Sequence, residues 1–130
     1  MKDILRFFLL FCLLFILASC KNENSFNTIL SVGKPIENAE IQFKNTDDDK
    51  KIRIINGVLS EKKWDVNKDF DVRGKEPDLV LEINDSNKGL PSLSVMLYFN
   101  DNGANAINFK GEHTTLSKVE VEKIRKAIGI

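Results

Sequence analysis

The stretch from Leu93 to Phe99 reads LSVMLYF and has the clearest strand pattern in the chain. Apolar residues occupy every second position of it: Leu93, Val95, Leu97 and Phe99. This period of two is that of a β-strand. The polar run Asn100–Gly103 then predicts a turn, and residues Ala106–Lys110 alternate again. We therefore expect the two runs to pair as neighbouring strands.

The same alternation appears earlier in the chain. It places apolar residues at Ala39, Ile41 and Phe43, and again at Leu79, Leu81 and Ile83. Between these two segments, Asn56-Gly57 is flanked by Ile52-Arg53-Ile54-Ile55 and Val58-Leu59-Ser60. Asn-Gly favours a type I′ turn, so this segment predicts a β-hairpin. For residues 26–32, the sequence leaves a further strand and a frayed turn open.

The last segment changes to the period of a helix. Ser117-Lys118-Val119-Glu120 is a capping box, in which the serine and glutamate side chains bond the first backbone amides. Val121, Ile124 and Ile128 follow at the spacing of one apolar helix face. Gly129 is a typical helix stop. The sequence thus predicts a short amphipathic helix at residues 118–128.

Several short strands followed by one helix predict an α+β domain: a small antiparallel sheet of about five to seven strands, covered by one C-terminal amphipathic helix. We expect a single domain at residues 35–130, preceded by a polar tether at 20–34. The 19 basic and 19 acidic residues cancel. Zero net charge argues against a nucleic-acid partner, because binding the phosphate backbone needs a basic excess.

The amino terminus has the layout of an export signal. Lys2 and Arg6 are followed by an unbroken apolar run, Phe7–Leu17, whose 11 residues are shorter than the about 20 that span a bilayer. The run ends in Leu17-Ala18-Ser19-Cys20, which resembles the lipobox of bacterial lipoproteins. The resemblance implies cleavage of residues 1–19 as a signal peptide, a diacylglyceryl thioether on Cys20 and acylation of its new amino group.

That resemblance also implies where the protein resides. It would be exported and held on a membrane by its lipid. Lys21 stands at the position where aspartate retains such proteins in the inner membrane of enteric bacteria. The outer membrane is therefore the expected location if the host has one.

No catalytic constellation is visible in the sequence. His113 is the single histidine, and we expect it to be a solvated residue of the loop before the helix. Cys12 lies in the signal, and lipidation would consume Cys20. No nucleophile elbow, dinucleotide fingerprint or phosphate loop occurs. We therefore predict no enzyme activity and no cofactor, with an envelope hydrolase using His113 as the lowest-ranked alternative.

One acidic stretch, residues 65–76 (DVNKDFDVRGKE), resembles the calcium loop of EF-hand and dockerin-type proteins. The resemblance implies the ligands Asp65, Asn67, Asp69, Asp71 and Glu76. Phe70 departs from that pattern, because it stands where the loop needs glycine. Pro77 follows at once and opposes an exiting helix. We therefore expect no metal site here but a solvated acidic loop, with Phe70 packed inward and Asp69 and Asp71 in water.

Trp64 is the single tryptophan, and two roles remain open for it. It either caps the core, which is favoured in a domain this small, or anchors a partner. Taken together, these features predict a lipid-anchored, non-enzymatic binding module that engages an unidentified protein or envelope ligand. The alternative is a periplasm-facing inhibitor or accessory subunit of an envelope complex.

Overall fold

A computed structural model of the chain describes residues 3–6, 28–66, 70–85 and 91–130. Within these ranges six antiparallel strands form one sheet in the spatial order β2-β1-β3-β4-β5-β6. The strands are β1 (Thr28–Pro35), β2 (Ile41–Thr46), β3 (Leu79–Asp85), β4 (Pro91–Asn100), β5 (Gly103–Asn108) and β6 (His113–Ser117). Two α-helices, α1 (Asp49–Ser60) and α2 (Lys118–Ile128), and a 3-10 turn at Glu37–Ala39 accompany the sheet, and the described residues 3–6 are also helical. The predicted α+β class, an antiparallel sheet with a C-terminal helix, is confirmed.

The sheet begins earlier than the expected domain boundary at residue 35. Strand β1 lies between β2 and β3, so residues 28–34 belong to the sheet and not to a tether. Of the two structures left open for residues 26–32, the strand is the one that forms from Thr28 onward. A tight turn joins β1 to β2, in which Asn38 and Ala39 adopt left-handed backbone angles.

The expected hairpin around Asn56-Gly57 is wrong, because these residues lie inside helix α1. The side chain of Asp48 caps the helix by accepting bonds from the amides of Lys50 and Lys51 over 3.0 and 3.2 Å. Ile52, Ile55 and Leu59 are buried at helical spacing. Burying three large apolar side chains outweighs the cost of about 1 kcal/mol for a glycine within a helix.

Helix α2 forms as predicted. The Ser117 hydroxyl accepts from the Glu120 amide over 3.2 Å, and the Glu120 carboxylate accepts from the Ser117 amide over 3.0 Å. Val121 and Ile124 are buried in the core. Gly129 ends the helix with φ 77°, and its N–H donates to the Arg125 carbonyl over 2.8 Å.

Both helices pack on the same face of the sheet, so two helices cover the core where the sequence predicted one. Alternate strand residues supply the sheet's share of the core, including the fully buried Leu30, Leu79, Leu81, Val95 and Leu97. Helix α1 contacts α2, and α2 also contacts β5 and β6. None of the helices in the described ranges combines the length and the apolar composition needed to cross a bilayer.

The opposite face of the sheet carries no helix from the described ranges and is partly covered by Phe70. Strand register places six of its residues in one row across the sheet: Phe43, Gly33, Val80, Met96, Ile107 and His113. Asp65 exchanges backbone hydrogen bonds with His113 at the β6 edge. Phe70 lies over Tyr98 and His113, with ring centroids 5.3 and 5.6 Å away.

Candidate functional site

A groove with a volume of about 760 Å³ runs between helices α1 and α2 on the outer surface. This is a size typical of ligand-binding clefts. Apolar or small residues, namely Ile54, Gly57, Val58 and Ala127, line part of it. Its charged lining residues are Asp48, Lys50, Lys51, Arg53, Glu61, Glu120, Lys123 and Lys126.

Helical periodicity explains why apolar side chains line the groove. The residues of α1 at 52, 55 and 59 are buried in the core. Ile54 and Val58 lie on an adjoining flank, where they are half-buried and pack against the core from its edge. Gly57 lies between them, and a Cβ added there would meet nothing within 4 Å. The groove is therefore open above Gly57.

The acidic residues of the groove are largely engaged within the protein. Asp48 caps α1. Lys62 Nζ donates to Glu120 Oε1 over 2.8 Å, and the Ser117 amide donates to the same oxygen over 3.0 Å. Burial acts to raise the pKa of Glu120. The hydrogen bonds from Lys62 and Ser117, together with the charge of Lys62, lower it by more than burial raises it, so the pKa lies below its ordinary value. Glu120 is therefore ionised, and a lysine ammonium already compensates its charge.

The lysines of the groove have no such partners in the part of the chain that the structure describes. Among the described residues, no salt bridge engages Lys50, Lys51, Lys123 or Lys126. Arg53 differs from them, because it pairs with Asp49 one helical turn earlier. Glu61 is the remaining acidic residue of the lining. The uncompensated charge around the groove is therefore positive, and it borders an apolar strip.

A second cavity, of about 490 Å³, adjoins the groove at Lys51. We call it the corner pocket, because it lies where the end of α2 meets β1 and β2. Leu30, Val32 and Ile128 contribute apolar walls. Its charged side chains are all lysines: Lys34, Lys44 and Lys51. The positive surface thus continues from the groove onto the helix side of β1 and β2.

The expected lipidation residue Cys20 lies outside the described residues, as does the rest of the lipobox. Its modification stays a prediction from the sequence. The same applies to the cleavage of residues 1–19.

The acidic stretch at 65–76 is described in part, since Asn67 and Asp69 lie outside the described residues. Asp71 is exposed and accepts hydrogen bonds from the guanidinium and amide of Arg73. These bonds lower the pKa of Asp71 below its ordinary value. Asp65 and Glu76 are also exposed. In the ranges that the structure covers, no group of three or more His, Cys, Asp or Glu side chains converges as metal ligands would.

Phe70 and Trp64 both pack against the protein. As expected, Phe70 packs inward: it is half-buried on the sheet face opposite to the two helices. Lys75 Nζ lies 4.7 Å from its ring centroid. Trp64 is half-buried against the core, and its Nε1–H donates to the Leu59 carbonyl over 3.4 Å. The position of Trp64 favours the core-capping role over a partner-anchoring one.

His113 is not the solvated loop residue that we expected. It is the first residue of β6 and is buried. Pairing of β6 with both β5 and Asp65 holds its backbone, and Phe70 stacks on its ring. Within the described ranges its Nε2 bonds Asn105 Oδ1 over 2.9 Å, and not a serine hydroxyl. The arrangement is that of a residue packed beneath Phe70 and held at the sheet edge by Asp65.

The sequence did not predict the groove, because the segment that forms its α1 wall was expected to be a β-hairpin. Lys123 and Lys126 lie on the predicted C-terminal helix, but nothing in the local sequence indicates that a second helix faces them. The missed signal was the spacing of Ile52, Ile55 and Leu59 behind a capping Asp48, which indicates a helix. Comparisons of the chain with family models, curated proteins and solved structures found no match.

Proposed function

We propose that this protein is a lipid-anchored, non-enzymatic binding module of the bacterial cell envelope that holds an acidic segment of a partner protein in the groove between α1 and α2. The observation that carries the proposal is the set of uncompensated lysines beside an apolar strip. An amphipathic acidic helix has the matching surface, with apolar residues for Ile54 and Val58 and carboxylates for Lys123 and Lys126.

The shape of the site favours a protein segment over a flat anionic membrane. The apolar residues Ile54 and Val58 are half-buried and line a cleft. An element must enter the cleft to contact them. A flat surface would meet the exposed lysines and leave the apolar strip unused. Electrostatic complementarity of this kind supplies specificity and speeds association.

The anchor rests on the signal-like residues 1–19 and the lipobox that ends in Cys20. We expect the mature chain to begin at a diacylglyceryl-modified Cys20. Cys20→Ser should leave an uncleaved precursor, while Cys12→Ser, which changes a cysteine within the apolar run, should mature normally. Mass spectrometry of the amino terminus from isolated membranes measures both. A mature wild-type chain with unmodified Cys20 would contradict the anchor.

The groove is tested by reversing its charge. The double variant Lys123→Glu/Lys126→Glu should weaken binding of a synthetic amphipathic helix of Glu and Leu by at least about tenfold, because two attractions become repulsions. Binding is measured by fluorescence anisotropy with the full chain in a nonionic detergent. The wild-type affinity should also fall as salt is raised.

The matched control is Lys63→Glu/Lys110→Glu, which makes the same change in net charge at exposed positions that do not line the groove. It should bind the acidic peptide nearly as wild type does. Equal weakening by the control would show that only overall charge matters and would overturn the proposal. So would equal binding of a Lys and Leu peptide, or stronger binding to vesicles of anionic lipid than to the acidic peptide.

A further inference from the structure

Strand β2 is the end strand of the sheet, and no described segment pairs with its outer edge. It nevertheless carries two large apolar side chains, Ile41 and Phe43, which are 38% and 44% exposed. Both lie across Gly33 of β1, since a Cβ added to Gly33 would stand 2.7 Å from an atom of each. An edge strand with exposed apolar side chains is a template for pairing with another strand.

Along that edge, the backbone groups of β2 have no hydrogen-bond partner among the described residues. The Ile36 amide donates to the Glu40 carbonyl over 2.8 Å, so Glu40 bonds towards β1. Bonded residues alternate along an antiparallel pair. The N–H and C=O groups of Ile41 and Phe43 therefore point away from β1. Pro35, which lacks an N–H, pairs with Ile41 and fits this alternation.

The sequence of this edge is complementary to itself. Residues 40–44 read Glu-Ile-Gln-Phe-Lys, which is acidic, apolar, neutral, apolar and basic about the central Gln42. Glu40 has extended backbone angles and so continues the line of the strand. We propose that a second copy of this chain pairs antiparallel with β2, with Gln42 opposite Gln42 of the second copy. The two sheets then join into one.

This register satisfies both faces of the joined sheet. Ile41 lies opposite the second copy's Phe43, so these two residues exchange backbone hydrogen bonds and pack side by side, twice over by symmetry. On the other face, Glu40 lies opposite the second copy's Lys44, also twice. Opposite charges placed directly across two strands stabilise the pair.

Neighbouring registers are worse. In an antiparallel pair, directly opposite side chains lie on the same face of the sheet. A twofold axis that relates two copies of β2 must therefore pass beside one residue and its own copy, and the neighbouring registers shift that axis by one residue. An axis on Lys44 puts lysine opposite lysine. An axis on Phe43 puts Lys44 opposite Gln42 and loses both charge pairs, and an axis on Ile41 loses them too. The helix side of β2 is open enough for this pairing, because Gln42 and Lys44 line the corner pocket.

Cysteine cross-linking of the full chain in isolated membranes tests the register. Facing residues of a non-hydrogen-bonded antiparallel pair have Cα atoms about 4.5 Å apart, which is within the range of a disulfide. Gln42→Cys should therefore form a disulfide-linked dimer on mild oxidation. Asn45→Cys, an exposed position of the same strand, should not, and neither should the parent chain with its native cysteines. Equal cross-linking at 42 and 45 would overturn the proposal.

Charge exchange tests the contacts. Glu40→Lys and Lys44→Glu should each weaken the dimer about tenfold, because each turns two attractions into repulsions. The double variant Glu40→Lys/Lys44→Glu restores opposite charges and should restore the dimer. Sedimentation equilibrium of the full chain in nonionic detergent measures the dissociation constants of the parent and the three variants. A double variant as weak as either single one would overturn the proposed pairing. Neither residue lines the groove between the helices, so this result is independent of peptide binding there.

Discussion

Replacing Ile124 with aspartate should lower the free energy of unfolding by about 4 kcal/mol or more. Ile124 lies on the face of α2 that packs on the sheet, and its side chain is fully buried in the core. A carboxylate at that position loses its hydration and finds no cation among the core side chains. Either the acid is protonated at a cost or α2 detaches from the sheet. Urea unfolding of the full chain in nonionic detergent, followed by circular dichroism, measures the loss.

The matched control is Val119→Asp on the same helix. Val119 is 67% exposed and lies in the first turn, where an acidic residue suits the helix dipole. Its replacement should change the stability by less than about 0.5 kcal/mol. Equal losses at Ile124 and Val119 would mean that α2 is not packed on the sheet.

Gly103→Ala should be nearly as damaging, with a loss of about 3 kcal/mol or more. Gly103 begins β5 with φ 138°, a region that residues with a Cβ rarely adopt. A Cβ there would stand 1.9 Å from the Leu116 carbonyl oxygen. The end of β6 would have to move, and with it the N-cap of α2 at Ser117. The same unfolding experiment measures the effect.

Two other glycines separate the causes of that loss. Gly111 also has a positive φ, 76°, but its Cβ would meet nothing within 4 Å, so Gly111→Ala should cost only about 1 kcal/mol. Gly57 lies in α1 with open space around it, and Gly57→Ala should stabilise the chain by about 0.5–1 kcal/mol. A loss at Gly103 no larger than that at Gly111 would show that β6 accommodates the methyl group freely.

The corrections concern segments whose local signals conflict. Asn56-Gly57 favours a turn, and it lies within a run that fits both a short hairpin and an amphipathic helix. The local sequence therefore does not choose between the hairpin and the helix. Burial of Ile52, Ile55 and Leu59 against the sheet selects the helix, and that surface exists only once the strands have assembled. The groove depends on the same choice, because α1 forms one of its walls.

The burial of His113 has a similar origin. Its neighbours in the sequence are polar, so a loop was the local expectation. Burial comes instead from residues far along the chain: Phe70 stacks on the ring, and Asp65 pairs with the backbone. Contacts at such separation leave no trace in a local pattern. The exposed edge of β2 was likewise invisible, because strand order is a property of the whole sheet.

By itself the sequence determined the α+β class, the paired alternation that became β4 and β5, and helix α2 with its capping box and its glycine stop. These features follow from side chains within a few residues of one another, whose period and capping bonds act locally. Only the tertiary structure decided that α1 is a helix, that two helices share one face, and that lysines from both border one groove. Those outcomes depend on which surfaces meet after the strands pair, because the free energy of burying apolar side chains is gained only between elements distant in sequence.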